Sequence, residues 1–327
     1  MSRIKKKIDN LGLILLFVAL FIYFAFSSKH FASLTNIMSL FAQMVELGFL
    51  TLGMAVSMLS GGMDLSIGAL ASLGTVLLAV FIGQMGWPML PAILLVFLLM
   101  LLAGLLNGFL VAYLKVQSML ATLGTQSLFT GIGLVISKGV TVRVPDESMR
   151  IFGRHLVFGV IPFQILLFTP VVIAIGIYIS RSISGRQIYL VGCNEEAARF
   201  TGINVKSTLL KVYLLSAAMA FFAALVFSSR ISSGRADVLN SKVLETVTAA
   251  VFGGVSTLGG VGTIGGAVLG VAIITIVRNG LDMMNVSQFL QQVIVGSLLL
   301  ITLALRNLKG KTSPLVALRN KVCRRIQ

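Results

Sequence analysis

Carboxylates set in apolar sequence are the residues of this chain with the most chemistry to explain. Glu46 stands near the centre of the apolar run 37–60, and Asp64 follows it within Gly61-Gly62-Met63-Asp64-Leu65-Ser66. An ionisable side chain inside a membrane is costly and serves ion coupling, solute contact or pairing. No Lys, Arg or His shares the run with Glu46. It is therefore expected to be a polar contact to a neighbouring helix or to a solute pathway, not a proton-coupling group. Asp64 and Ser66 have two readings: oxygens that cap the helix starting near Ile67, or solute contacts. Asn107, Thr122, Thr125, Gln126, Gln288, Gln291 and Gln292 are the main uncharged polar residues inside apolar runs. They can exchange hydrogen bonds with a polar solute, or bridge neighbouring helices.

Catalysis has no comparable support. His30 and His155 lie in different polar loops, and Cys193 and Cys323 form neither a disulfide framework nor a metal-ligand spacing. No cluster of His, Cys or carboxylates stands at catalytic spacing at one membrane depth, which makes a membrane-embedded enzyme the weakest class. Gly310-Lys311-Thr312 imitates the end of a phosphate-binding loop, but Leu305 replaces its first Gly and no strand and helix frame it. The segment 306–327 reads instead as a basic tail that can meet anionic lipid. No metal and no nucleotide site are expected in this chain.

The elements that must position these residues are membrane spans. Of 327 residues, 57% are hydrophobic and only 11% charged, whereas a soluble domain carries roughly a quarter charged residues. That excludes an ordinary soluble enzyme and excludes disorder. The apolar runs are continuous, which speaks against a β-barrel, whose strands alternate. The expected fold class is an all-α polytopic membrane protein, a single domain over 1–327. Runs near 11–26, 37–60, 67–86, 88–114, 119–137, 162–180, 208–229, 244–258, 264–280 and 288–305 predict about ten transmembrane helices. The net charge of +16 reads as loop charge on one membrane side, not as a nucleic-acid surface. With both termini inside, nearly twice as many of the 26 Lys and Arg fall inside as outside, so the expected orientation is N-in and C-in. Outer loops are then 138–161 and 230–243. The second carries Arg230, Arg235, Asp237 and Lys242, mixed charge suited to transient docking of a partner. The Gly-rich run 253–266 is expected to be a close-packed tight turn, and it loosely repeats the stretch ending at Gly62.

The largest inner loop, 181–207, has the clearest local signals. Asn194 is a good N-cap, Glu195 and Glu196 suit a first helical turn, and Gly202 suits the C′ position. They predict a short capped helix on the inner face, which a mechanical partner could grip.

Here a family resemblance appears. Glu196-Ala197-Ala198, three residues and Gly202 resemble the EAA–Gly loop of ATP-binding-cassette importer permeases. The longer string GRQIYLVGCNEEAARFTGINV, from Gly185 to Val205, resembles the coupling loop of ribose-type simple-sugar permeases. GGMDLSIG resembles their GGIDLSVG signature, with Met63 and Ile67 as departures. TAAVFGGVSTLGGVGTIGGAVLG and RNGLDMMNVSQFLQQVIVGSLLL resemble two further blocks, in the family's order, so that the likeness runs from about 37 to 305. The resemblance implies the cobalamin-type (type II) importer permease fold in a bacterial inner membrane. It also implies a second permease subunit, the same or similar chain, with cytoplasmic ATP-binding subunits that hold ATP and Mg, and a periplasmic sugar-binding protein. It makes Arg186, Asn194, Glu196, Ala197, Ala198 and Gly202 the ATPase-coupling residues. Glu46, Asp64, Ser66, Asn107, Thr122, Gln126 and Gln291 become pathway candidates, and Arg230, Arg235 and Asp237 binding-protein docking candidates. Autoinducer-2 importers share these blocks, so the solute is a ribose-like pentose or a related small polar molecule. The alternative is an ion-coupled secondary transporter working alone.

Overall fold

The computed structural model describes residues 2–310 apart from 145, 158 and 160; the tail beyond 310, with Lys311, Thr312 and Cys323, lies outside them. The helices are α1 (Ser2–Ser27), α2 (Leu34–Leu59), α3 (Ile67–Leu78, continuing as a π-helical turn Ala79–Gln84), α4 (Met89–Ala112), α5 (Ser118–Ser137), α6 (Asp146–Gly153), α7 (Phe163–Arg181), α8 (Ile183–Cys193), α9 (Glu195–Phe200), α10 (Val205–Ile231), α11 (Val243–Phe252), α12 (Ile264–Met283) and α13 (Gln288–Gly310). Four two-residue strands join them: β1 (Val142–Arg143), β2 (Leu156–Val157), β3 (Ile161–Pro162) and β4 (Ser233–Gly234).

Local chemistry sets several helix starts. The side chains of Ser33, Ser182, Asn204 and Thr263 each accept a backbone N–H from three residues on, at the heads of α2, α8, α10 and α12. The centre of the molecule is α10, packed on α4, α2 and α3. Every α2 residue from Val45 to Leu59 is buried. Such a helix, apolar all round, belongs inside a bundle. By contrast α4 and α7, equally apolar, are mostly exposed and offer their outer faces to lipid. Gly104 and Gly108 on α4 leave no room for a side chain against Tyr213 and Leu210 of α10, so the two backbones approach closely.

Among the described residues, seven helices are long and apolar enough to cross a membrane: α2, α3 with its π-helical turn, α4, α5, α7, α10 and α12. The chain is a multi-pass membrane protein. The apolar parts of α1 and α13, Leu11–Ser27 and Gln288–Thr302, are shorter. The expected eighth span, 244–258, is corrected. Its helix α11 has 10 residues, about 15 Å at 1.5 Å each, half of what a bilayer core needs. The chain then leaves helical geometry at Gly253 and re-enters it at α12. Gly254, Gly259, Gly260 and Gly262 all have positive φ in this stretch, which side-chain-bearing residues rarely adopt. Irregular backbone at such a place must be satisfied by protein. Ser256 N–H donates to Val261 O at 2.8 Å, Gly260 N–H to Leu59 O at 3.0 Å, and the Tyr189 hydroxyl to Gly262 O at 2.9 Å. The region 181–207 is also corrected: it is two helices, α8 and α9, not one loop with a single short helix.

The segments assigned to one side by charge meet at one end of the bundle. Gly61, Gly192 and Gly259 touch there. Those assigned to the other side meet at the opposite end, where β1 pairs with β4 (Val142↔Gly234, Arg143↔Ser233) and Gly153 packs on the Arg230 backbone.

Candidate functional site

The stretch from Ser60 to Ser66 joins α2 to α3 at the first of these ends and is tied to three other helices. The Asp64 carboxylate accepts the Ser66 N–H at 3.1 Å, the Ser66 hydroxyl at 2.6 Å and the Ser216 hydroxyl of α10 at 2.6 Å. Ser66 Oγ accepts Asn107 Nδ2 of α4 at 2.8 Å. Thr122 of α5 bonds both sides of the loop, accepting Leu65 N–H at 3.1 Å and donating to Met63 O at 3.2 Å. Ser118 accepts Met63 N–H and Ser57 accepts Asp64 N–H. Asp64, Ser66, Asn107 and Thr122, read as pathway candidates, thus form one buried network. The capping alternative is refined: Ser66 makes no side-chain cap to α3, while Asp64 holds the Ser66 amide in a local turn. Ser57, Ser118, Tyr213 and Ser216 belong to the same cluster. The sequence offered no signal for them, because a serine between apolar neighbours reads the same whether it packs or bonds.

Beside this loop lies a cleft of about 410 Å³, bounded by Gly61 and Gly62, by Lys115 and Ser118 in the α4–α5 turn, and by Glu195, Glu196 and Arg199 of α9. The capping expectation for α9 is met in detail. Asn194 Oδ1 accepts Ala197 N–H at 3.0 Å. Gly202 has φ +81°, and Gly202 and Ile203 N–H return to Arg199 O and Ala198 O. Ala198 is buried with Ala112, Val191, Val205 and Leu209, which seats α9 on the bundle. Phe200 is 91% exposed. Arg186 lies on α8, exposed and bonded to Arg181 O at 3.2 Å, apart from α9. Burial pushes the Tyr189 phenol up to about 12, so it keeps its proton and its bond to Gly262 O.

At the opposite end Glu46 makes its polar contact to a neighbouring helix as an ion pair. No cation shares its span, but two arrive from elsewhere. Arg230 at the end of α10 pairs through Nε and through Nη2, the latter at 3.2 Å, and Lys242 Nζ lies 3.8 Å from the same carboxylate. Arg230, expected to face a docking partner, is turned inward by this pair. Arg235 and Asp237 do stay exposed and pair with each other at 2.5 Å. Arg235 is held from behind, its N–H donating to Thr75 Oγ1 at 3.2 Å. A second buried pair, Arg278 with Glu245 at 2.5 Å, ties α12 to α11. Asn36 and Asn279 exchange amide bonds at 2.8 and 2.9 Å between α2 and α12. Apart from Arg235–Asp237, two residues apart, none of these partners was legible, because each pair joins residues tens or hundreds of positions apart.

Two pathway candidates stand alone. Gln291 is buried and donates to Asp282 Oδ1 at 2.6 Å and Val286 O at 2.9 Å, closing the turn between α12 and α13. Gln126 lies half-buried on α5, one turn beyond Thr122.

A buried polar loop joining two helices long enough to cross a membrane, with a capped helix beside it at one end of the bundle, suits a transport protein of the permease class. Residues 36–303 match the family described as the permease component of branched-chain amino acid transport systems, and the chain belongs to that family. It is 33% identical over 313 residues to the L-arabinose transport system permease protein AraH of Escherichia coli K12, covering 93% of this chain and 92% of that one. It is 32% identical over 277 residues to the ribose import permease protein RbsC of Bacillus subtilis 168, covering 84% and 85%. It is 29% identical over 345 residues to the xylose transport system permease protein XylH of Escherichia coli K12, covering 87% and 88%. No solved structure matches the chain significantly.

Proposed function

We propose that this chain is the membrane-spanning subunit of an ATP-binding-cassette importer for a five-carbon sugar or a related small polar solute. The observation that carries the reading is α9: a six-residue helix, capped at both ends, seated through Ala198 and presenting an exposed Phe200. A fixed knob of this kind suits a groove in a partner ATPase, which supplies ATP and Mg; this chain needs neither. The three relatives named above carry arabinose, ribose and xylose in their names, all pentoses, and this favours a pentose over the amino acids in the family description. The chain is read as one domain of the cobalamin-type (type II) fold, N-in and C-in, in a bacterial inner membrane. α9 then faces the cytoplasm, and Arg235 and Asp237 face a periplasmic sugar-binding protein. A second permease subunit is expected along α5. Gly124 and Gly131 there have open space around them, Ser127 is exposed and Gln126 half-buried, so a polar pathway between two chains is possible at that face.

The ion-coupled alternative is weakened by the same contacts. Glu46 is engaged by two cations and Asp64 by three donors, so neither is poised to exchange ions with a solute path. The test is uptake of labelled L-arabinose, D-xylose and D-ribose into vesicles holding the complex, with ATP inside and the proton gradient collapsed. Uptake that needs ATP and ignores the gradient is expected. Uptake that stops with the gradient and ignores ATP would sink the importer reading.

A further inference from the structure

Glu46 is fully buried in α2, yet its partners come from an outer platform. The main chain of Arg230 is built into that platform. Its carbonyl accepts Arg154 Nε at 2.9 Å. Gly153 lies so close to the Arg230 backbone that a Cβ would collide with it. The adjacent Ser229 hydroxyl donates to Met149 O, and three residues further on β4 pairs with β1. Arg230 is therefore where α6, β1 and β4 meet α2.

The other end of α2 is equally engaged. Leu59 O accepts Gly260 N–H at 3.0 Å, and Gly192 has no room for a side chain against the same carbonyl. Gly192 belongs to the last turn of α8, which leads through Asn194 directly into α9. From Glu46 to Leu59 runs about 20 Å of unbroken helix. A buried ion pair contributes little net stability, because desolvation offsets the attraction. Its value here is the geometry it imposes between two bodies.

We propose that Glu46 is a positioning residue: through Arg230 it fixes the outer platform to α2, so that a protein seating on the platform moves α2 and, at its far end, the α8–α9 pair. This rests on the importer reading above. α2 is a rigid rod between two close-packed junctions, the kind of physical element that carries coupling between distant sites.

The experiment uses the full complex of permease and ATPase subunits in lipid nanodiscs with sugar-loaded binding protein. The variants are E46Q, R230Q and the double E46Q/R230Q. Each is measured for melting temperature, for affinity for the binding protein, and for the fold-stimulation of ATP hydrolysis that the binding protein causes. The single variants strand a buried charge or its partner and lose stability, whatever the role of the pair. The double variant removes both members of the pair and leaves Lys242, partly exposed, to water, so it should melt closer to wild type than either single variant. The proposal expects it to bind the binding protein with wild-type affinity and to lose stimulation tenfold or more. Wild-type stimulation in the double variant overturns the proposal, since the pair is then only structural. A loss of affinity that accounts for the lost stimulation also overturns it, since the pair then belongs to the docking surface. If the double variant does not assemble, R230K carries the test: it keeps the charge and removes the two-pronged contact. A three- to tenfold loss of stimulation at unchanged affinity supports the proposal, and no loss overturns it. A wild-type complex that hydrolyses no ATP in response to the binding protein overturns the importer reading itself, which is a different result from an uncoupled variant.

Discussion

At the scale of single residues, polar groups in this chain act through what they touch and not through their depth in a span. Asp64 has a hydroxyl donor on each carboxylate oxygen. Asp64→Asn replaces one acceptor by an NH2 group that faces a donor. Removing or mismatching one member of a buried bonded set costs about 1–3 kcal/mol. Both Asp64→Asn and Ser216→Ala are expected to lower the melting temperature of the purified permease, measured by intrinsic fluorescence. Because the two positions share a bond, the double variant should cost less than the sum of the singles. Additive losses would show that the Ser216–Asp64 bond is not formed. Asp64 was marked by its type and position, and that much was legible. That Ser216 is its partner was not, since it lies 152 residues away.

At the scale of elements, α9 is the part that local sequence described best. Asn194 and the acidic first turn act at one end of a six-residue helix and Gly202 at the other, each through hydrogen bonds a few residues long, and short-range hydrogen bonding needs no distant information. Gly202 has φ +81° and nothing near its missing Cβ, so Gly202→Val meets only backbone strain, about 1–2 kcal/mol for a left-handed residue. The variant should insert and assemble but show sugar uptake reduced relative to ATP hydrolysis. Normal uptake by Gly202→Val would remove α9 from the coupling role. Asn194→Ala should act in the same direction more weakly, at about 1 kcal/mol for a lost cap, read as a smaller drop in the same uptake-to-hydrolysis ratio. The element that local sequence misjudged is α11. The apolar run at 244–258 is 15 residues, short for a span, the glycines from 253 onward bend the backbone, and only the surrounding helices decide whether a Gly-rich run is helical or turned.

At the scale of the whole molecule, the two ends of the bundle differ in what they offer. One presents the cleft beside α9; the other presents the Arg235–Asp237 pair above the buried Glu46–Arg230 pair. An exposed pair contributes little stability of its own, so Arg235→Glu should leave the melting temperature within a degree or two of wild type. It should weaken association with the binding protein at low ionic strength and have little effect at high salt, because screening hides surface charge. Titration of the binding protein at two salt concentrations checks this. An unchanged affinity at both places the docking face elsewhere on the outer end, with β2, β3 and the rest of 138–161 as the next surface to probe.

Composition and periodicity determined that this chain is helical and lives in a membrane, because a run of about 20 apolar residues has no other stable use. The capping residues determined α9, because they lie close together in sequence, and the likeness of four blocks between 37 and 305 to a known family pointed to the permease class. The tertiary structure decided the rest. It turned Arg230 inward to Glu46, gathered Asp64, Ser66, Asn107 and Thr122 into one network, and ended the helix of the expected eighth span at Phe252. Each of these depends on which helices become neighbours, and apolar helices of similar composition do not announce their neighbours. Packing of small residues such as Gly104, Gly108 and Gly192 makes that choice, and only then do the buried polar groups find the partners that satisfy them.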